Sequence, residues 1–471
     1  MLLQVLDEAS IERIHHASLV VLERVGLSVP DDAVCGWLGE LGAKVDEHRQ
    51  IVKMPRRLVL ESIQSAPSSV SLFDRHGARL LLDQGEPPHH FCSDFQRVID
   101  LQTSQVRRVR LQDIADIARL ADALPAMKGL CHQCLAEDVP AELAALLSIE
   151  AVVLNTTKHC LGVPTELREA VIWAEISEVV LDRGAGLSDT PTISFAVSTT
   201  SPLQFDRESI SVLRYAAMRG IPIVTIPCPL AGGTTPFTLA GTLVVQNAEN
   251  LFSVALSQLA NQGAPVVYGG VPGIMDMRTG SGLFGTPEFS LMSNAVAQLA
   301  RFYGLPSYSA LGDTDALEVD IQCGAEKMLS YFSGFASGLN LSVGAGGIAT
   351  AAIVSYPQLV VDSDLIQTVE RYMRGFTVDQ DTLALDAIGR VGPGGDYLTE
   401  QHTLTWLRRG EHYYPRVFNR QTAREGVEAN SVLARAHARA REILVEHDPE
   451  VPADVSERIA EYVRRKSAEL G

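Results

Sequence analysis

The sequence predicts an α/β fold, a (β/α)8 TIM barrel with a helical accessory layer before it and a helical extension after it. From about residue 88, short apolar and often β-branched runs alternate with amphipathic helical runs, which is the pattern of repeated βα units. Eight runs have strand character, whereas open doubly wound sheets usually have fewer strands. No Gly-rich dinucleotide fingerprint follows the first run, which further favours a closed barrel.

The predicted barrel strands are short apolar segments separated by helical ones. They are His89–Phe95, Lys128–Cys134, His159–Val163, Thr192–Val197, Ile221–Ile226, Pro265–Gly270, Ser307–Leu311 and Asn340–Gly344. The predicted helices between them are Ala141–Asn155, Leu167–Asp182, Asp206–Arg219, Pro236–Gln262, Pro287–Phe302 and Val319–Ser337. Two of these helices have a start signal, which is a threonine followed directly by a proline, at Thr235 and at Thr286. The threonine oxygen can cap the helix, and the proline suits its first position.

The predicted barrel occupies residues 88–375. The accessory region, residues 1–87, is predicted to contain helices at Ser10–Val25, Pro30–Leu41 and Pro55–Ser65. The extension, residues 376–471, has a glycine-rich turn followed by helices predicted at Thr399–Arg409, Arg420–His447 and Ala453–Ala468. The Ala/Glu/Arg-rich composition of the last two helices is typical of a solvated packing layer on the barrel.

The chain of 471 residues is acidic, with 57 Asp and Glu against 39 Lys and Arg and a formal net charge of -18. This balance disfavours nucleic acid and anionic membranes as partners and favours cationic small molecules. No apolar run approaches the roughly 18 residues that span a bilayer, and the amino-terminal stretch is acidic from Asp7 onward, unlike a secretory signal. Seven scattered cysteines are typical of reduced thiols, so a cytoplasmic location is predicted.

The segment Tyr303–Lys327, YGLPSYSALGDTDALEVDIQCGAEK, resembles the signature segment of the trimethylamine:corrinoid-protein methyltransferase family. The similarity continues, in order and spacing, along nearly the whole chain. Its other segments are Glu23–Gly26, Pro67–Ser69, Leu111–Pro125, Thr200–Leu203, Leu239–Glu249, Gly285–Glu288 and Gly392–Leu398 with the following His402. In the archaeal trimethylamine enzymes the motif carries pyrrolysine between LPSY and SDAK elements, and here that slot holds Asp313.

The resemblance implies a barrel that presents a methylated amine to the cobalt of a separate corrinoid protein. Without pyrrolysine, the chain looks like a member of the branch whose characterised members demethylate quaternary amines such as glycine betaine. The resemblance also implies that the cognate corrinoid protein supplies the corrinoid and docks transiently over the open end of the barrel. No tightly bound cofactor and no metal are expected in the enzyme itself, and a homo-oligomer is compatible with a barrel of this size.

Within this interpretation Asp313 is the candidate catalytic residue, because a carboxylate can balance the fixed charge of a quaternary ammonium that has lost its water. Quaternary ammonium groups are usually held by aromatic faces, and reacting groups in barrels lie at the carboxyl ends of strands. The candidate substrate-binding residues are Tyr268, Phe284, Tyr308, Asp315 and His402. Structural alternatives remain open: the strand aromatics pack in the core, the aspartates cap the next helix, and His402 bonds to the preceding turn.

Two other functions also remain open. Cys131 and Cys134 end one predicted strand and His159 and Cys160 begin the next, so four soft ligands could hold zinc in a zinc-dependent methyltransferase or hydrolase. Against this, one CxxC pair is a weak signal, and adjacent strand residues point to opposite faces. The other possibility is a non-catalytic binding protein for methylated amines.

Overall fold

A computed structural model describes residues 2–181, 186–420 and 431–470 and contains a closed barrel of eight parallel strands. The strands are β1 (His89–Cys92), β2 (Met127–His132), β3 (His159–Gly162), β4 (Ile193–Val197), β5 (Ile223–Thr225), β6 (Val266–Gly269), β7 (Ser307–Ser309) and β8 (Leu341–Ala345). Each strand pairs with the next, and β8 closes the barrel on β1, where Leu341 lies opposite His89. All eight predicted strands are confirmed, with small shifts at their ends.

A helix follows each strand of the barrel. These helices are α1 (Leu111–Ala123), α2 (Ala144–Asn155), α3 (Leu167–Val180), α4 (Arg207–Arg219), α5 (Leu239–Ala260), α6 (Pro287–Phe302), α7 (Ile321–Ser337) and α8 (Tyr356–Met373). The predicted helix Leu167–Asp182 corresponds to α3, and Asp182 lies outside the described residues. Helices α1 and α8 were not predicted, although α8 has a clear start signal: Ser355 caps it and a proline lies in its first turn.

The two predicted helix starts have different outcomes. Thr286 caps α6 as predicted, because its side chain accepts a hydrogen bond from the backbone N–H of Phe289. Helix α5 instead begins at Leu239 and is capped by Thr238, so the start predicted at Thr235 is wrong. The carbonyl oxygen of Thr235 accepts a hydrogen bond from within the preceding glycine-rich turn, which keeps this residue outside the helix.

The accessory region contains strands as well as the predicted helices. Its helices are Glu8–Arg24, Asp32–Glu40 and Arg56–Ser65. A small sheet, which was not predicted, consists of Leu27–Ser28, Lys44–Asp46 and Ile51–Lys53. An unpredicted hairpin consists of Val70–Phe73 and Arg79–Leu82. Because Val70, Leu72 and Leu82 are buried in one cluster with interior residues of the barrel, the hairpin closes the amino-terminal end of the barrel.

The opposite end of the barrel, formed by the carboxyl ends of β1–β8 and the loops that follow them, is termed the mouth. Two small sheets extend from these loops. One sheet consists of Leu230–Ala231, Gly273–Met275 and Gly282–Leu283, after β5 and β6. The other consists of Arg97–Ile99, Val106–Arg108, Gly347–Ile348 and Ile353–Ser355, after β1 and β8. Their backbone hydrogen bonds hold four of the mouth loops in place.

The carboxyl-terminal extension is mainly helical. Its helices are Gln380–Leu383, Leu385–Val391, Gln401–Arg408, Val432–Glu446 and Ala453–Leu470. The helix predicted at Arg420–His447 is described only from Val432, since residues 421–430 lie outside the described part of the chain. The last two helices pack against α1, α2, α3 and α8, as expected of a packing layer. Among the residues described, no helix is long and apolar enough to cross a membrane.

Candidate functional site

Asp313 lies in the mouth, in the loop after β7, and is only 5% exposed. Its Oδ1 atom is buried and accepts no hydrogen bond within the part of the chain that is described. Burial raises the pKa of Asp313 to about 7, against the opposing effect of the Lys327 ammonium. The carboxylates of Asp315 and Asp362 contribute to this rise in pKa. A buried carboxylate oxygen without a donor is suited to receive a cation.

A fully buried ion pair holds the loop that carries Asp313. The Nζ atom of Lys327, on α7, lies 3.0 Å from Oδ2 of Asp362, on α8, and neither side chain is exposed. The same Nζ donates to the carbonyl oxygens of Gly312, directly before Asp313, and of Gly344, in β8. Gly312 has a φ of +86°, which glycine adopts without strain. The ion pair therefore fixes the backbone next to Asp313 and ties this loop to the neighbouring strand.

Helix capping is not the role of either candidate aspartate in this loop. Helix α7 begins at Ile321, and its cap is Asp320, whose carboxylate accepts a hydrogen bond from the backbone N–H of Cys323. Asp313 and Asp315 lie farther upstream, and neither carboxylate caps the first turn of that helix. The capping alternative is therefore contradicted for both residues.

Asp315 holds the aromatic side of the mouth in place. Its carboxylate oxygens accept hydrogen bonds from the backbone N–H groups of Phe284 (2.8 Å) and Gly285 (3.0 Å) in the loop after β6. Phe284 contacts Phe289 edge-to-face, with ring centroids 5.7 Å apart, and packs against the apolar interior of the barrel. Asp315 thus has the geometry of a positioning residue for Phe284, and its role as a direct substrate ligand stays a prediction.

Tyr308 points into the barrel from β7 and belongs to the apolar interior cluster. Burial raises the pKa of its hydroxyl well above the usual 10, and the nearby Cys131, Cys228 and Asp313 add to this rise. Cys228 follows β5 and is the exposed one of the seven cysteines. Desolvation of the Cys228 thiol raises its pKa to about 12, and the carboxylates of Asp313 and Glu249 add to this rise. Tyr308, Cys228 and Asp313 therefore share one region of the mouth.

Asp94, which sequence reasoning missed, adds a further carboxylate to the mouth. It follows β1, and its Oδ1 atom accepts hydrogen bonds from the backbone N–H groups of Gln133 (2.8 Å) and Cys134 (3.0 Å) after β2. Burial raises the pKa of Asp94 to about 6, although these two N–H groups oppose the rise. The only sequence signal for this residue was its position directly after an apolar strand.

Tyr268 does not belong to the candidate site, because its side chain points away from the barrel interior. It is fully buried between the barrel and the helices, where its hydroxyl donates to Oδ1 of Asn247 at 2.8 Å. Its ring also contacts the ring of Tyr303, with centroids 5.7 Å apart. Strand residues alternate between the two faces of a sheet, and Tyr268 occupies the outer face. This placement contradicts its predicted role in a cation cage.

His402 also lies away from the mouth. It is part of Gln401–Arg408, and its Nε2 atom lies 3.3 Å from the carbonyl oxygen of Asp381 in the same extension. The extension leaves the barrel after α8, whose last residue, Met373, lines a cavity of about 710 Å³ at the amino-terminal end of the strands. The contacts of His402 therefore support a local structural role, and the prediction that it binds substrate is not retained.

The alternative zinc site is not assembled. The described ranges contain no group of three or more His, Cys, Asp or Glu side chains that could hold a metal ion. Cys131 packs in the barrel interior, whereas Cys134 and Cys160 pack in the layer between barrel and helices. Both ring nitrogens of His159 already have partners, a backbone carbonyl at 3.1 Å and the Ser194 hydroxyl at 2.9 Å. The zinc-dependent alternative is therefore contradicted.

The whole chain, residues 1–471, matches the family model of trimethylamine methyltransferase (MTTB). It is 30% identical over 462 residues to the trimethylamine methyltransferase MttB of Desulfitobacterium hafniense (strain DSM 10664 / DCB-2), which covers 97% of this chain and 93% of that protein. It is also 30% identical over 478 residues to the glycine betaine methyltransferase of Desulfitobacterium hafniense (strain Y51), with coverage of 99% and 98%. A trimethylamine methyltransferase of Methanosarcina thermophila is 32% identical over 407 residues, with coverage of 85% and 84%.

Solved structures of monomethylamine methyltransferase have a similar fold. The hydroxylamine complex of MtmB aligns with a TM-score of 0.54 at 15% identity, covering 99% of this chain and 88% of that one. The Methanosarcina barkeri enzyme aligns with a TM-score of 0.50 at 15% identity, covering 98% and 92%. This likeness concerns the fold alone, and it agrees with the barrel. The full-length family match and the relatives named for methyl transfer identify a methyltransferase, and the chain belongs to the trimethylamine methyltransferase family.

Proposed function

We propose that this methyltransferase moves a methyl group from a quaternary amine, glycine betaine or a similar compound, to the Co(I) corrinoid of a cognate corrinoid protein, without pyrrolysine. The observation that carries the proposal is the carboxylate of Asp313, buried in the mouth with an oxygen that has no hydrogen-bond donor. The names of two relatives at 30% identity, one for trimethylamine and one for glycine betaine, support a methylated amine as substrate.

The proposed reaction exchanges one bond for another and needs no added oxidant or reductant. The carbon–nitrogen bond of one methyl group breaks, and its electron pair remains on nitrogen, which leaves as a neutral tertiary amine. The methyl carbon gains a new bond from the electron pair of Co(I), which is thereby oxidised to Co(III). Because a quaternary nitrogen needs no proton or covalent activation, the enzyme has to bind, orient and dehydrate the substrate.

The residues of the mouth suit these tasks. Asp313 supplies a negative charge in a desolvated position, where an attraction between charges is stronger than in water. Tyr308 and Phe284 supply aromatic rings near the same position, and such rings attract quaternary ammonium groups. We assign cation binding to these three side chains and positioning of Phe284 to Asp315. The corrinoid is the methyl acceptor in this scheme, and it reaches the mouth only while the partner protein is docked there.

Methyl transfer is expected to increase as the pH rises through about 7, because the pKa of Asp313 is about 7 and only its ionised form attracts the cation. Below that pH the carboxyl group is neutral and kcat/KM falls. The test follows methylcobalamin absorbance with free cob(I)alamin and a panel of quaternary amines, between about pH 5 and about pH 9. A profile that is flat or that declines through neutral pH contradicts the role of Asp313.

A non-catalytic binding protein gives a different result in the same experiment. It predicts that quaternary amines raise the melting temperature of the protein, while no tertiary amine and no methylcobalamin are formed. Mass spectrometry of the amine products separates the two outcomes. Absence of product with every amine of the panel would count against the proposed methyl transfer.

Replacing Tyr308 with leucine is expected to raise KM for a quaternary amine about 2- to 30-fold, since a cation–π contact contributes about 0.5–2 kcal/mol. Tyr268→Leu is the matched control, because that ring is buried outside the barrel interior. Both substitutions remove a large buried side chain and lower the melting temperature. Only Tyr308→Leu is expected to change KM, and equal KM values for the two variants would contradict the proposed cage.

A further inference from the structure

The loops that form the mouth contain far more acidic than basic residues. Between β2–β8 and the helices that follow them, the loops span residues 133–143, 163–166, 198–206, 226–238, 270–286, 310–320 and 346–355. Their acidic residues are Glu137, Asp138, Glu142, Glu166, Asp206, Asp276, Asp313, Asp315, Glu318 and Asp320. Their single basic residue is Arg278. All seven loops lie within the described residues.

The charge of Arg278 is already matched. Its guanidinium makes two bonds to the carboxylate of Asp276, at 3.0 Å and 2.9 Å, and the arginine side chain is 89% exposed. Arg278 therefore lies at the outer edge of the mouth, with its own counter-ion. A negatively charged group of a bound substrate gains little from it, since exposed charges are screened by water and salt.

The remaining mouth loop, between β1 and α1, contains four arginines. Arg97 and Arg108 both pair with Glu137, at 2.8 Å and 3.2 Å. Arg107 pairs with two aspartates, at 2.7 Å and 2.6 Å. Arg110 is exposed directly before α1. Three of these four arginines therefore have a carboxylate partner, and none of the four is buried in the mouth.

Two carboxylates with raised pKa values, the buried Asp313 and the half-buried Asp94, belong to the mouth. Asp313 is 5% exposed and has an oxygen without a hydrogen-bond donor. Asp94 follows β1, which only β8 separates from β7, and backbone N–H groups bind one of its oxygens. The buried Lys327 does not offset these charges for a ligand, because its ammonium is saturated by Asp362 and two carbonyl oxygens. A cation is attracted to this region, whereas a carboxylate is repelled by it.

We infer that the preferred substrates are quaternary ammonium compounds whose remaining part carries no negative charge, such as tetramethylammonium and choline, rather than betaines. This inference rests on the proposed methyl transfer from a quaternary amine, and within that class it replaces glycine betaine by net cations as the preferred substrates. A betaine brings the same ammonium group together with a carboxylate that finds no unpaired buried cation in the described mouth. Specificity then comes from repulsion of the wrong substrate as well as attraction of the right one.

The test compares tetramethylammonium and choline with glycine betaine and carnitine, using the full chain and free cob(I)alamin. We expect kcat/KM for the two net cations to exceed that for the two betaines by about 10-fold or more. Equal or higher kcat/KM for the betaines overturns the inference while the proposed methyl transfer stands. Absence of turnover with all four compounds contradicts the proposed function instead.

Binding is measured independently of turnover by isothermal titration calorimetry of the full chain with each of the four compounds. We expect the dissociation constants of tetramethylammonium and choline to be about 10-fold or more below that of glycine betaine. The reverse order overturns the inference even if no compound is demethylated, and so does an absence of binding by all of them.

Two variants identify the groups that set the preference. Asp313→Asn removes the buried charge. It is expected to bring the ratio of kcat/KM for choline to kcat/KM for glycine betaine down toward one. Glu318→Gln, which changes an exposed carboxylate in the same loop, is expected to leave the ratio within about 2-fold of the unmodified protein. Arg278→Gln is expected to leave betaine turnover unchanged. A selective loss of betaine turnover in Arg278→Gln would show a carboxylate site and overturn the inference.

Discussion

Replacing Asp313 with asparagine is expected to raise KM for a quaternary amine about 10- to 100-fold, because a buried charge opposite the substrate is removed while the shape of the side chain is kept. The effect on kcat is expected to be much smaller. The positive charge on nitrogen decreases as the carbon–nitrogen bond breaks, so the carboxylate stabilises the bound substrate at least as strongly as the transition state. Steady-state kinetics with free cob(I)alamin measures both parameters, and a large fall in kcat at constant KM contradicts this role.

The same substitution is expected to stabilise the protein above neutral pH. The pKa of Asp313 is raised from 3.8 to about 7, so the folded state is favoured below the unfolded pKa and loses this advantage as pH rises through the folded pKa. At pH 8 the cost of ionising Asp313 in place is on the order of 4 kcal/mol at most, since one pKa unit corresponds to about 1.4 kcal/mol.

Asparagine has no charge to bury, so Asp313→Asn should raise the melting temperature by a few degrees at pH 8 and by much less at pH 5. Glu318→Gln is the control for a loss of negative charge in the exposed part of the same loop. Equal melting temperatures of Asp313→Asn and the unmodified protein at both pH values would show that the carboxylate is not strained by burial. Loss of affinity together with a gain of stability is typical of a residue retained for function.

The barrel could be predicted because its signal is local and repeated. Each strand is an apolar run and most of the helices between them have a 3.6-residue period, so eight independent segments supported the same fold. Apart from the helices α1 and α8, the elements that were not predicted are short, and their stability comes from partners distant in sequence. The hairpin Val70–Phe73 with Arg79–Leu82 is one such element, since its buried face is completed only by the barrel interior.

The candidate site was predicted in part, and the reason lies in side-chain direction. Tyr268 and Tyr308 both lie in predicted strands, but only the three-dimensional structure shows that one faces the helices and the other the interior. In a barrel both faces of each strand are buried, so apolar residues occupy inward and outward positions alike. The sequence therefore does not show which strand residues point into the interior. Asp313 was found because it occupies a recognisable slot in a motif. Asp94 has no such motif and becomes a candidate only through its position in the mouth and its raised pKa.

Lys327 and Asp362 show a second limit. Lys327 ends the recognised motif, but its partner lies 35 residues later in a helix that was not predicted. Neither side chain is exposed, so their charges are compensated only by each other and by nearby polar groups. Such a pair is expected to be costly to break, because removal of one partner leaves an uncompensated buried charge.

Lys327→Met is therefore expected to lower the free energy of unfolding by about 3–5 kcal/mol. Asp362 would keep its hydrogen bonds from the N–H of Gly346 and from Gln358 but lose its cation, and the carbonyl oxygens of Gly312 and Gly344 would lose their donor. Chemical denaturation measures the change. Arg57→Met is the control, because the Arg57–Glu61 pair is exposed and its loss should cost no more than about 0.5 kcal/mol. Equal losses in the two variants would contradict the role of burial.

The double substitution Lys327→Met with Asp362→Leu separates stability from positioning. It removes both buried charges, so much of the lost stability is expected to return. Activity is not expected to return with it, because the ammonium that holds the carbonyl of Gly312 is still absent. Lys327 lowers the pKa of Asp313 more than Asp362 raises it, so the loss of both leaves this pKa higher. In the pH profile of kcat/KM, the midpoint should then lie at a higher pH than in the unmodified protein. A double variant with restored stability and an unchanged midpoint would mean that the ion pair is structural only and does not position the substrate-binding carboxylate.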